Sequence, residues 1–409
     1  MPETLIPDSK EIASRTFADV VAATAQCFPD PQYRPWQGSL NSGWHWVEAN
    51  ADGTGTKPEF SERLFTETGN YEHFATQAHN VVAMVADDAA RAGKFTVGII
   101  NSIDVNDAGD PAFIAALAKG MQQACEIGKF PLLNGETAEL GYRTPGIGKN
   151  RLNWNAVALT LVNKEKVIDG SGLKPGQPVV ALRERSIRSN GLTRARAILE
   201  RAHMVQTKKT ADKRIYIAET MRQQLGYVLP EHRILQVLDN TPVGAALWDH
   251  IHLPWHQSFP ELTANLERPS TIYTPLIYEA QGGVDGERKV PLVAMAHITG
   301  GGVPLKGKRM VEAKGLGLHL EAPFPDPAGI PELIALAGQH LCKEEKPLVD
   351  DRTACEQWNR GVGFLCVTEH MGHAEELRVL AEALGYEAAI AGEITNERRI
   401  DWHGHCWTY

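Results

Sequence analysis

The 409-residue sequence lacks the features typical of membrane, nucleic-acid-binding and disulfide-rich proteins. It has no apolar stretch long enough to cross a bilayer and no run of basic residues. Its net charge is −9, so binding to nucleic-acid phosphates is not expected. The six cysteines are scattered without a Cys-x-x-Cys pair, which predicts reduced thiols. The first residues contain no charged-then-apolar signal, and we therefore expect a cytoplasmic protein.

The chain also lacks the usual phosphate loop, Gly-x-x-x-x-Gly-Lys-Ser/Thr. One short segment offers related chemistry, and it reads Asp52-Gly53-Thr54-Gly55-Thr56-Lys57. Its glycines allow backbone N–H groups to approach a ligand, Asp52 can bind Mg²⁺ through its oxygens, and Lys57 can contact phosphate. Together these residues indicate a site for a metal–nucleotide phosphate group. A Gly/Thr-rich hairpin with a surface lysine is the structural alternative.

A second acid lies on a predicted helix. Asn80 can cap a helix that runs to about Ala92. Asp88 continues its apolar stripe, seven residues after Val81, whereas Asp87 falls to one side. A carboxylate on a core-facing stripe is costly unless it is paired or bound to a metal. Asp88 is therefore either a second metal ligand or part of a buried salt bridge.

A third acid follows a predicted helix and strand. Asp110 can cap a helix that ends near Gly128, and residues 130–133 are typical of a short strand. The residues after that strand are Asn134-Gly135-Glu136-Thr137-Ala138-Glu139. Because open α/β sheets bind ligands at the C-terminal ends of strands, Glu136 is a candidate third metal ligand. A plain surface turn is the alternative.

Two glycine-containing loops follow predicted strands in the second half of the chain. The strand at 178–182 leads through Ser189-Asn190-Gly191 into a helix over about 192–203, whose first N–H groups could bind an anion. The apolar strand at 292–296 leads into His297-Ile298-Thr299-Gly300-Gly301-Gly302. Three consecutive glycines there favour a backbone nest for an oxyanion or phosphate. His297 on its own could equally be a structural histidine.

In this order, the segments resemble one family, the phosphoribosylformylglycinamidine cyclo-ligases, also called aminoimidazole ribonucleotide synthetases. The resemblance runs from about Asn50 to about Ile394. The matching segments are Asp52–Lys57, Val82-Ala83-Met84, Asp88, Gly135–Glu139, Ser189–Gly191, Ala296–Gly302, Asn359 and Gly361-Val362-Gly363. The ordered set, more than any single motif, indicates the superfamily and its ATP-using fold.

The sequence departs from the family pattern at several positions. Arg188 stands where the family has His before Ser-Asn-Gly, and Asn80 and Asp87 replace the usual Asp and Asn of the metal helix. Asn134 replaces the first Gly of Gly-Gly-Glu-Thr. Bulkier residues at 38–46 replace a glycine-rich loop, and the remaining differences are Thr271, Pro275, Glu356 and Gln357. The phosphate-handling half is thus closer to the family than the substrate half.

The resemblance implies a two-domain α/β (α+β) fold and a homodimer. It implies ATP and Mg²⁺ as cofactors, with Asp52, Asp88 and Glu136 on the metal. Nucleotide contacts would come from the 53–57 segment (Gly53, Thr54, Gly55, Thr56, Lys57) and from Thr137. The substrate, a phosphorylated ribonucleotide, would contact Arg188, Ser189, Asn190, Gly191, Thr299, Gly300, Gly301 and Gly302. Asp52, Lys57 and His297 would be catalytic, His297 as a proton carrier because its free pKa lies near working pH. Arg188 would bind an anionic part of the substrate through its rigid guanidinium.

The implied reaction is an ATP-dependent ring closure in purine biosynthesis. ATP would phosphorylate the formamide oxygen of formylglycinamidine ribonucleotide, and the amidine nitrogen would then attack the activated carbon. Two alternatives remain open: another ATP-dependent ligase or kinase of the superfamily, and a non-catalytic relative. The acids and Lys57 argue against the last.

We expect two domains, residues 1–168 for ATP and metal and residues 169–409 with an insertion at about 201–267. Turn residues near Asp169 favour that boundary. The insertion could be a lid or an oligomer contact. No membrane or nucleic-acid partner is expected. Two histidine groups could bind a transition metal but match no strong zinc pattern; they are His250, His252 and His256, and His403, His405 and Cys406.

Overall fold

The structure is a computed structural model that describes residues 45–144, 146, 148–206, 255–339 and 349–409. Within these residues the chain forms two separate β-sheets and eleven α-helices, which is an α/β fold. None of the described helices is both long and apolar enough to cross a membrane. The expectation of an α/β fold is therefore confirmed.

The first sheet has four strands in the order β1-β4-β2-β3. Strand β4 pairs antiparallel with both β1 and β2, and β3 adds parallel to β2 at one edge. Three helices, α1 to α3, follow in this half of the chain. The elements are β1 (His45–Gly53), α1 (Lys57–Thr68), α2 (Glu72–Ala90), β2 (Phe95–Val105), α3 (Pro111–Gly128), β3 (Leu132–Glu139) and β4 (Leu152–Asn163).

Helix α2 begins at Glu72, so the prediction that Asn80 caps it is wrong. Asn80 is fully buried in the middle of the helix, where its Nδ2 donates to Thr76 O at 2.9 Å and its Oδ1 accepts from Lys57 and Ser270. These tertiary hydrogen bonds offset the weak helix propensity of asparagine. The burial of the two acids also differs from the prediction. Asp87 is fully buried, whereas the side chain of Asp88 is 32% exposed.

Strand β3 is longer than predicted, and it includes the segment that we expected to follow it. Residues 134–139 pair in parallel with β2, so Glu136 lies within the strand and not beyond its end. The backbone hydrogen bonds of β2 extend the strand past the short apolar run that the sequence shows. By contrast, the start of α3 is as predicted, because Asp110 Oδ1 accepts from the N–H groups of Ala112 and Phe113.

The second sheet has seven strands in the order β11-β10-β7-β9-β5-β8-β6. The strands predicted at 178–182 and 292–296 and the helix predicted from 192 are all present. The strands are β5 (Pro178–Arg183), β6 (Leu292–His297), β7 (Gly317–Leu320), β8 (Val362–Thr368), β9 (Ala388–Thr395), β10 (Arg399–Trp402) and β11 (His405–Thr408). The helices are α4 (Leu192–Gln206), α5 (Trp255–Ser258), α6 (Pro260–Glu267), α7 (Thr274–Ala280), α8 (Gly302–Val311), α9 (Ile330–Gln339), α10 (Asp351–Gln357) and α11 (Met371–Ala383).

Each sheet has its own apolar core. Trp154 and Phe113 are buried between the first sheet and its helices, and Trp402 and Trp407 are buried against the second. The boundary predicted at 168/169 falls in the connection between the two sheets and stays a prediction. Residues 207–254, including His250 and His252 and most of the predicted insertion, lie outside the described residues.

Candidate active site

Three loops predicted to bind ligand meet between the two sheets. The 52–57 loop connects the end of β1 to the start of α1. The Ser189–Gly191 loop precedes α4, and the Thr299–Gly301 loop joins β6 to α8. A Cβ added at Gly55 would lie 3.9 Å from Ser189 O, and one added at Gly300 would lie 3.5 Å from Asn190 Oδ1. The fold therefore brings together residues that lie more than one hundred positions apart in sequence.

A fourth segment, residues 358–361, packs behind these loops. Trp358 Nε1 donates to Gly191 O at 3.3 Å, and Asn359 Nδ2 donates to Ser186 O at 2.8 Å. A Cβ added at Gly302, whose φ is +59°, would lie 2.0 Å from Cys355 O. Only glycine fits such a left-handed and crowded position. Packing against residues 355–359 thus holds both the Ser189–Gly191 loop and the start of α8.

The converging loops carry buried polar atoms without partners. Thr54 Oγ1, Ser189 Oγ and Asn190 Nδ2 are buried and make no hydrogen bond to any described residue. Buried polar groups in folded proteins are nearly always hydrogen-bonded, so unpaired ones call for an explanation such as a bound ligand. A polar ligand seated between the loops would supply the missing partners.

A cavity lined mostly by polar and charged residues adjoins the 52–57 loop. Its volume is about 450 Å³, and its lining includes Gly55, Thr56, Arg143, Arg151 and Asp104. That volume is within the range typical of small-molecule sites. A second cavity, of about 770 Å³, lies between α3 and β3 and is mainly apolar, with Ile103, Leu117, Met121 and Trp154 in its wall. Gly135 and Thr137, from the 134–139 segment that the sequence singled out, also line this second cavity.

Lys57 points into the protein. It is fully buried, and its Nζ donates to Asn80 Oδ1 at 3.0 Å and to Arg268 O at 2.8 Å. Burial lowers the pKa of Lys57 and raises that of Glu267, while the opposite charge of each partner acts against the shift. Glu267 is held by the hydroxyls of Ser61 and Thr76. The described partners of the ammonium group are protein atoms, and its predicted contact with phosphate stays a prediction.

Arg188 is fully buried at the centre of an ion-pair cluster. Its Nη1 donates to Glu184 Oε2 at 2.7 Å, and its Nη2 lies 3.3 Å from Asp87 Oδ2 and 2.6 Å from His297 Nε2. Burial opposes the charge on Arg188, but Glu184 and Asp87 outweigh it and raise the pKa of the guanidinium. Both ends of the guanidinium group are therefore engaged by other residues of this chain.

His297 lies at the end of β6, between Arg188 and Asp88. Its Nδ1 is 3.6 Å from Asp88 Oδ1, and its ring stacks on Phe364 with 5.8 Å between centroids. Burial and the neighbouring Arg188 lower the pKa of His297 to about 3. Burial opposes ionisation of Asp88, yet His297 and Arg91 hold the pKa of Asp88 below its ordinary value. At neutral pH the pair is a neutral imidazole beside a carboxylate.

The structure does not bring the three predicted metal ligands together. Asp52 is in register with Ala156 and Asn101, so its side chain shares their face of the sheet. A Cβ added at Gly135 would also meet Asn101, and the next residue, Glu136, points to the opposite face. Among the described residues there is no group of three or more His, Cys, Asp or Glu side chains that could hold a metal ion. The three acids therefore do not form a single donor set within the described residues, and Mg²⁺ binding by Asp52 and Asp88 stays a prediction.

Several residues of the cluster were not identified from the sequence. Asp87 Oδ1 accepts from the N–H groups of Tyr273 and Thr274, and Glu184 Oε2 accepts from Thr271 N. Glu267 pairs with a lysine 210 residues away in sequence, and no local spacing connects them. The sequence signal that could have identified them is an acid in apolar surroundings, as at Asp87, because a buried carboxylate requires a partner.

Two family models match the chain, one in each half. The model described as AIR synthase related protein, N-terminal domain, matches residues 40–150, and the corresponding C-terminal domain model matches residues 257–404. Together the two ranges cover more than half of the chain. They contain the 52–57 loop, Asp88, Glu136 and the Thr299–Gly302 loop.

Curated relatives and a solved structure agree with these matches. The phosphoribosylformylglycinamidine cyclo-ligase of Carboxydothermus hydrogenoformans is 27% identical over 86% of this chain and 82% of its own. The protein of that name from Thermococcus gammatolerans is 24% identical over 97% of this chain and 95% of its own. The E. coli hydrogenase maturation protein HypE superposes with a TM-score of 0.51 at 14% identity, over 93% of this chain and 88% of its own. At that identity the likeness to HypE shows a shared fold.

Proposed function

Because the chain belongs to the AIR synthase related proteins, we propose that it is an ATP-dependent phosphoribosylformylglycinamidine cyclo-ligase. The relatives named for that activity support the proposal over most of the chain. The observation that carries it is the convergence of the 52–57, Ser189–Gly191 and Thr299–Gly302 loops around buried polar atoms without partners. Such a site suits a ligand rich in oxygen atoms.

In the proposed reaction, the γ-phosphoryl group of ATP is transferred to the formamide oxygen of formylglycinamidine ribonucleotide. The amidine nitrogen then attacks the activated carbon, the carbon–oxygen bond breaks, and inorganic phosphate leaves as the imidazole ring closes. Transfer of this kind depends mainly on positioning and on stabilising negative charge. Thr54 Oγ1, Ser189 Oγ and Asn190 Nδ2 can donate to oxygen atoms, and the backbone at the start of α8 can do the same.

ATP and Mg²⁺ are both part of the proposal. Asp52 and Asp88 provide carboxylate oxygens, which are the donors that Mg²⁺ prefers. Glu136 points to the other face of the sheet, so this part of the proposal rests on the first two acids. Isothermal titration of ATP with and without Mg²⁺ tests it, using Asp88→Asn and, as a control, Asp107→Asn, an exposed loop acid. Equal ATP binding in all cases would remove Mg²⁺ and Asp88 from the proposed site.

The activity itself is tested by ADP release and by detection of the imidazole product. We expect ADP release that depends on formylglycinamidine ribonucleotide. Thr54→Val should reduce it at least tenfold without unfolding the protein, since it removes a hydroxyl that has no hydrogen-bond partner among the described residues. Thr160→Val is the matched control, because the Thr160 hydroxyl is also buried but donates to Glu48 O at 3.0 Å. ADP release without any stimulation by this substrate would favour another ATP-dependent ligase or kinase of the family.

We also propose a homodimer formed through β3. That strand is an edge of its sheet, and Leu132 and Leu133 are 46% and 48% exposed. An exposed edge with apolar side chains favours pairing with another chain. Sedimentation velocity at micromolar concentration should show a dimer, and Leu133→Lys should shift it toward monomer. A monomeric wild-type chain would contradict the proposal.

A further inference from the structure

The contact between Arg188 and His297 fixes the direction of one hydrogen bond. Arginine carries only N–H donors and cannot accept a hydrogen bond. Its Nη2 lies 2.6 Å from His297 Nε2, so Nε2 must be the acceptor and carries no proton. The single ring proton of a neutral histidine is then on Nδ1, which faces Asp88 Oδ1 at 3.6 Å. A carboxylate on that side agrees with a donor at Nδ1.

We infer that Arg188 is a positioning residue that fixes His297 as the neutral Nδ1–H tautomer, with that N–H directed at Asp88. At 3.6 Å the Nδ1–H group is too far from Asp88 Oδ1 for a hydrogen bond and has no hydrogen-bond partner among the described residues, so it can donate to a ligand. His297 is then a positioned donor and not the proton carrier expected from the sequence. Arg188 contributes to the site through His297, without a contact to substrate of its own. The inference rests on the geometry of these three side chains and is independent of which reaction the protein catalyses.

The position of Arg188 is itself determined by two buried acids. Asp87 Oδ1 accepts from Tyr273 N, Thr274 N and the Thr274 hydroxyl, which orients its Oδ2 toward Arg188 Nη2. Glu184 Oε1 accepts from Ser186 N, and its Oε2 accepts from Arg188 Nη1. Each acid thus accepts from backbone N–H groups through one carboxylate oxygen and contacts the guanidinium group through the other.

Two further contacts limit movement of the pair. The guanidinium carbon of Arg188 lies 5.5 Å from the centre of the Tyr273 ring, within the range of a cation–π contact. The His297 ring stacks on Phe364 with an interplanar angle of 27°. A half-turn of the imidazole about Cβ–Cγ would put Cε1–H in the place of Nε2, so that Arg188 Nη2 would lose its acceptor. The cluster therefore excludes the flipped ring as well as the other tautomer.

Nitrogen NMR on the full chain labelled with ¹⁵N-histidine tests the inference directly. Long-range ¹H–¹⁵N correlation distinguishes protonated from bare ring nitrogens, and the His297→Gln variant identifies the His297 signals by their loss. For wild type at neutral pH we expect a protonated Nδ1 and a bare Nε2. A protonated Nε2, alone or together with Nδ1, would overturn the inference.

Variants separate positioning from folding. Arg188→Met combined with Asp87→Asn removes the N–H group that donates to His297 Nε2 and, together with it, the buried charge of Asp87. The side-chain oxygen of the new asparagine can keep the Oδ1 contacts to Tyr273 and Thr274. We expect more than half of His297 to change to the Nε2–H tautomer in this double variant, while Arg188→Lys retains a donor and the Nδ1–H form. Arg185→Met is the control, because this neighbouring arginine is exposed and pairs with Glu387. An unchanged tautomer in the folded double variant would show that Arg188 does not set it.

Discussion

Lys57 and Arg188 are both fully buried cations next to the candidate site, but they are neutralised in different ways. Arg188 pairs with two carboxylates and remains charged at any working pH. Lys57 donates to one amide oxygen and one carbonyl oxygen, and burial lowers its pKa although Glu267 and Glu184 act to raise it, while Arg188 acts to lower it. Burial likewise raises the pKa of Glu267. The comparison shows that burial alone does not decide how far the pKa of a cation falls, because the neighbouring charges and hydrogen bonds also contribute.

The largest effect is expected for Arg188→Met. The substitution leaves Asp87 and Glu184 buried without their cation, and breaking a buried ion pair typically costs about 3–5 kcal/mol. Urea unfolding at pH 7 should show a loss of that order. Adding Asp87→Asn should restore part of it, because one uncompensated charge disappears. A single variant as stable as wild type would mean that the two acids need no cation.

A buried acid that pairs with no cation in the described part of the chain extends the comparison. The pKa of Glu62 rises to about 7 because burial opposes its charge, although Lys149 N donates to its Oε1 at 2.6 Å. A raised folded-state pKa means that the contribution to stability is complete below the unfolded value of 4.5 and is lost as pH rises through about 7. Glu62→Gln should therefore be more stable than wild type by about 3 kcal/mol at pH 8 and nearly equal at pH 4. Unfolding free energies at both pH values check this, with exposed Glu126→Gln as the control. An equal difference at the two values would contradict it.

A smaller loss is expected for Lys57→Met. Glu267 can take up a proton and keeps the hydroxyls of Ser61 and Thr76, so the main cost is the unpaired carbonyl of Arg268, about 1–3 kcal/mol. Without its cation Glu267 has a further raised pKa, and the variant should lose more stability than wild type between pH 5 and pH 8. Chemical denaturation across that range measures it. Adding Glu267→Gln should reduce the pH dependence of the unfolding free energy. If the unfolding free energy of Lys57→Met changes with pH in parallel with that of wild type, Lys57 does not compensate the charge of Glu267.

The sequence predicted the elements whose signals are local. The start of α3 at Asp110-Pro111 and the apolar strands β5 and β6 depend on capping and on continuous apolar runs, and both were identified correctly. The start of α2 was missed because asparagine serves equally as a cap or as a buried residue with tertiary partners. Asp88 was assigned to the core-facing side from its spacing to Val81 and Met84. Asp87 is the fully buried acid, because Arg188 and the backbone at 273–274 cover that side of the helix.

The site was predictable as a set of loops but not as a set of contacts. Glycine and serine patterns identified the loops that meet between the sheets. The facing of Glu136 depends on the register of β3 against β2, which no short motif encodes. Likewise, the Asp87–Arg188 pair joins positions 101 residues apart, and only the packing of the two sheets brings them together.

The smallest effect on stability is expected at Ser189, a position that contrasts with Ser186 in the same loop. Ser189 Oγ is buried and has no partner among the described residues, whereas Ser186 Oγ accepts from Arg188 N at 3.0 Å. If the Ser189 hydroxyl hydrogen-bonds only to a ligand, Ser189→Ala should change the unfolding free energy by less than about 0.5 kcal/mol, since no protein hydrogen bond is lost. It should raise the KM for formylglycinamidine ribonucleotide about tenfold, the equivalent of one hydrogen bond to a ligand. Ser186→Ala should show the reverse, a stability loss of about 1 kcal/mol with little change in KM. Steady-state kinetics and urea unfolding of the two variants decide between a ligand contact and a structural role, and an unchanged KM for Ser189→Ala would remove Ser189 from the proposed substrate site.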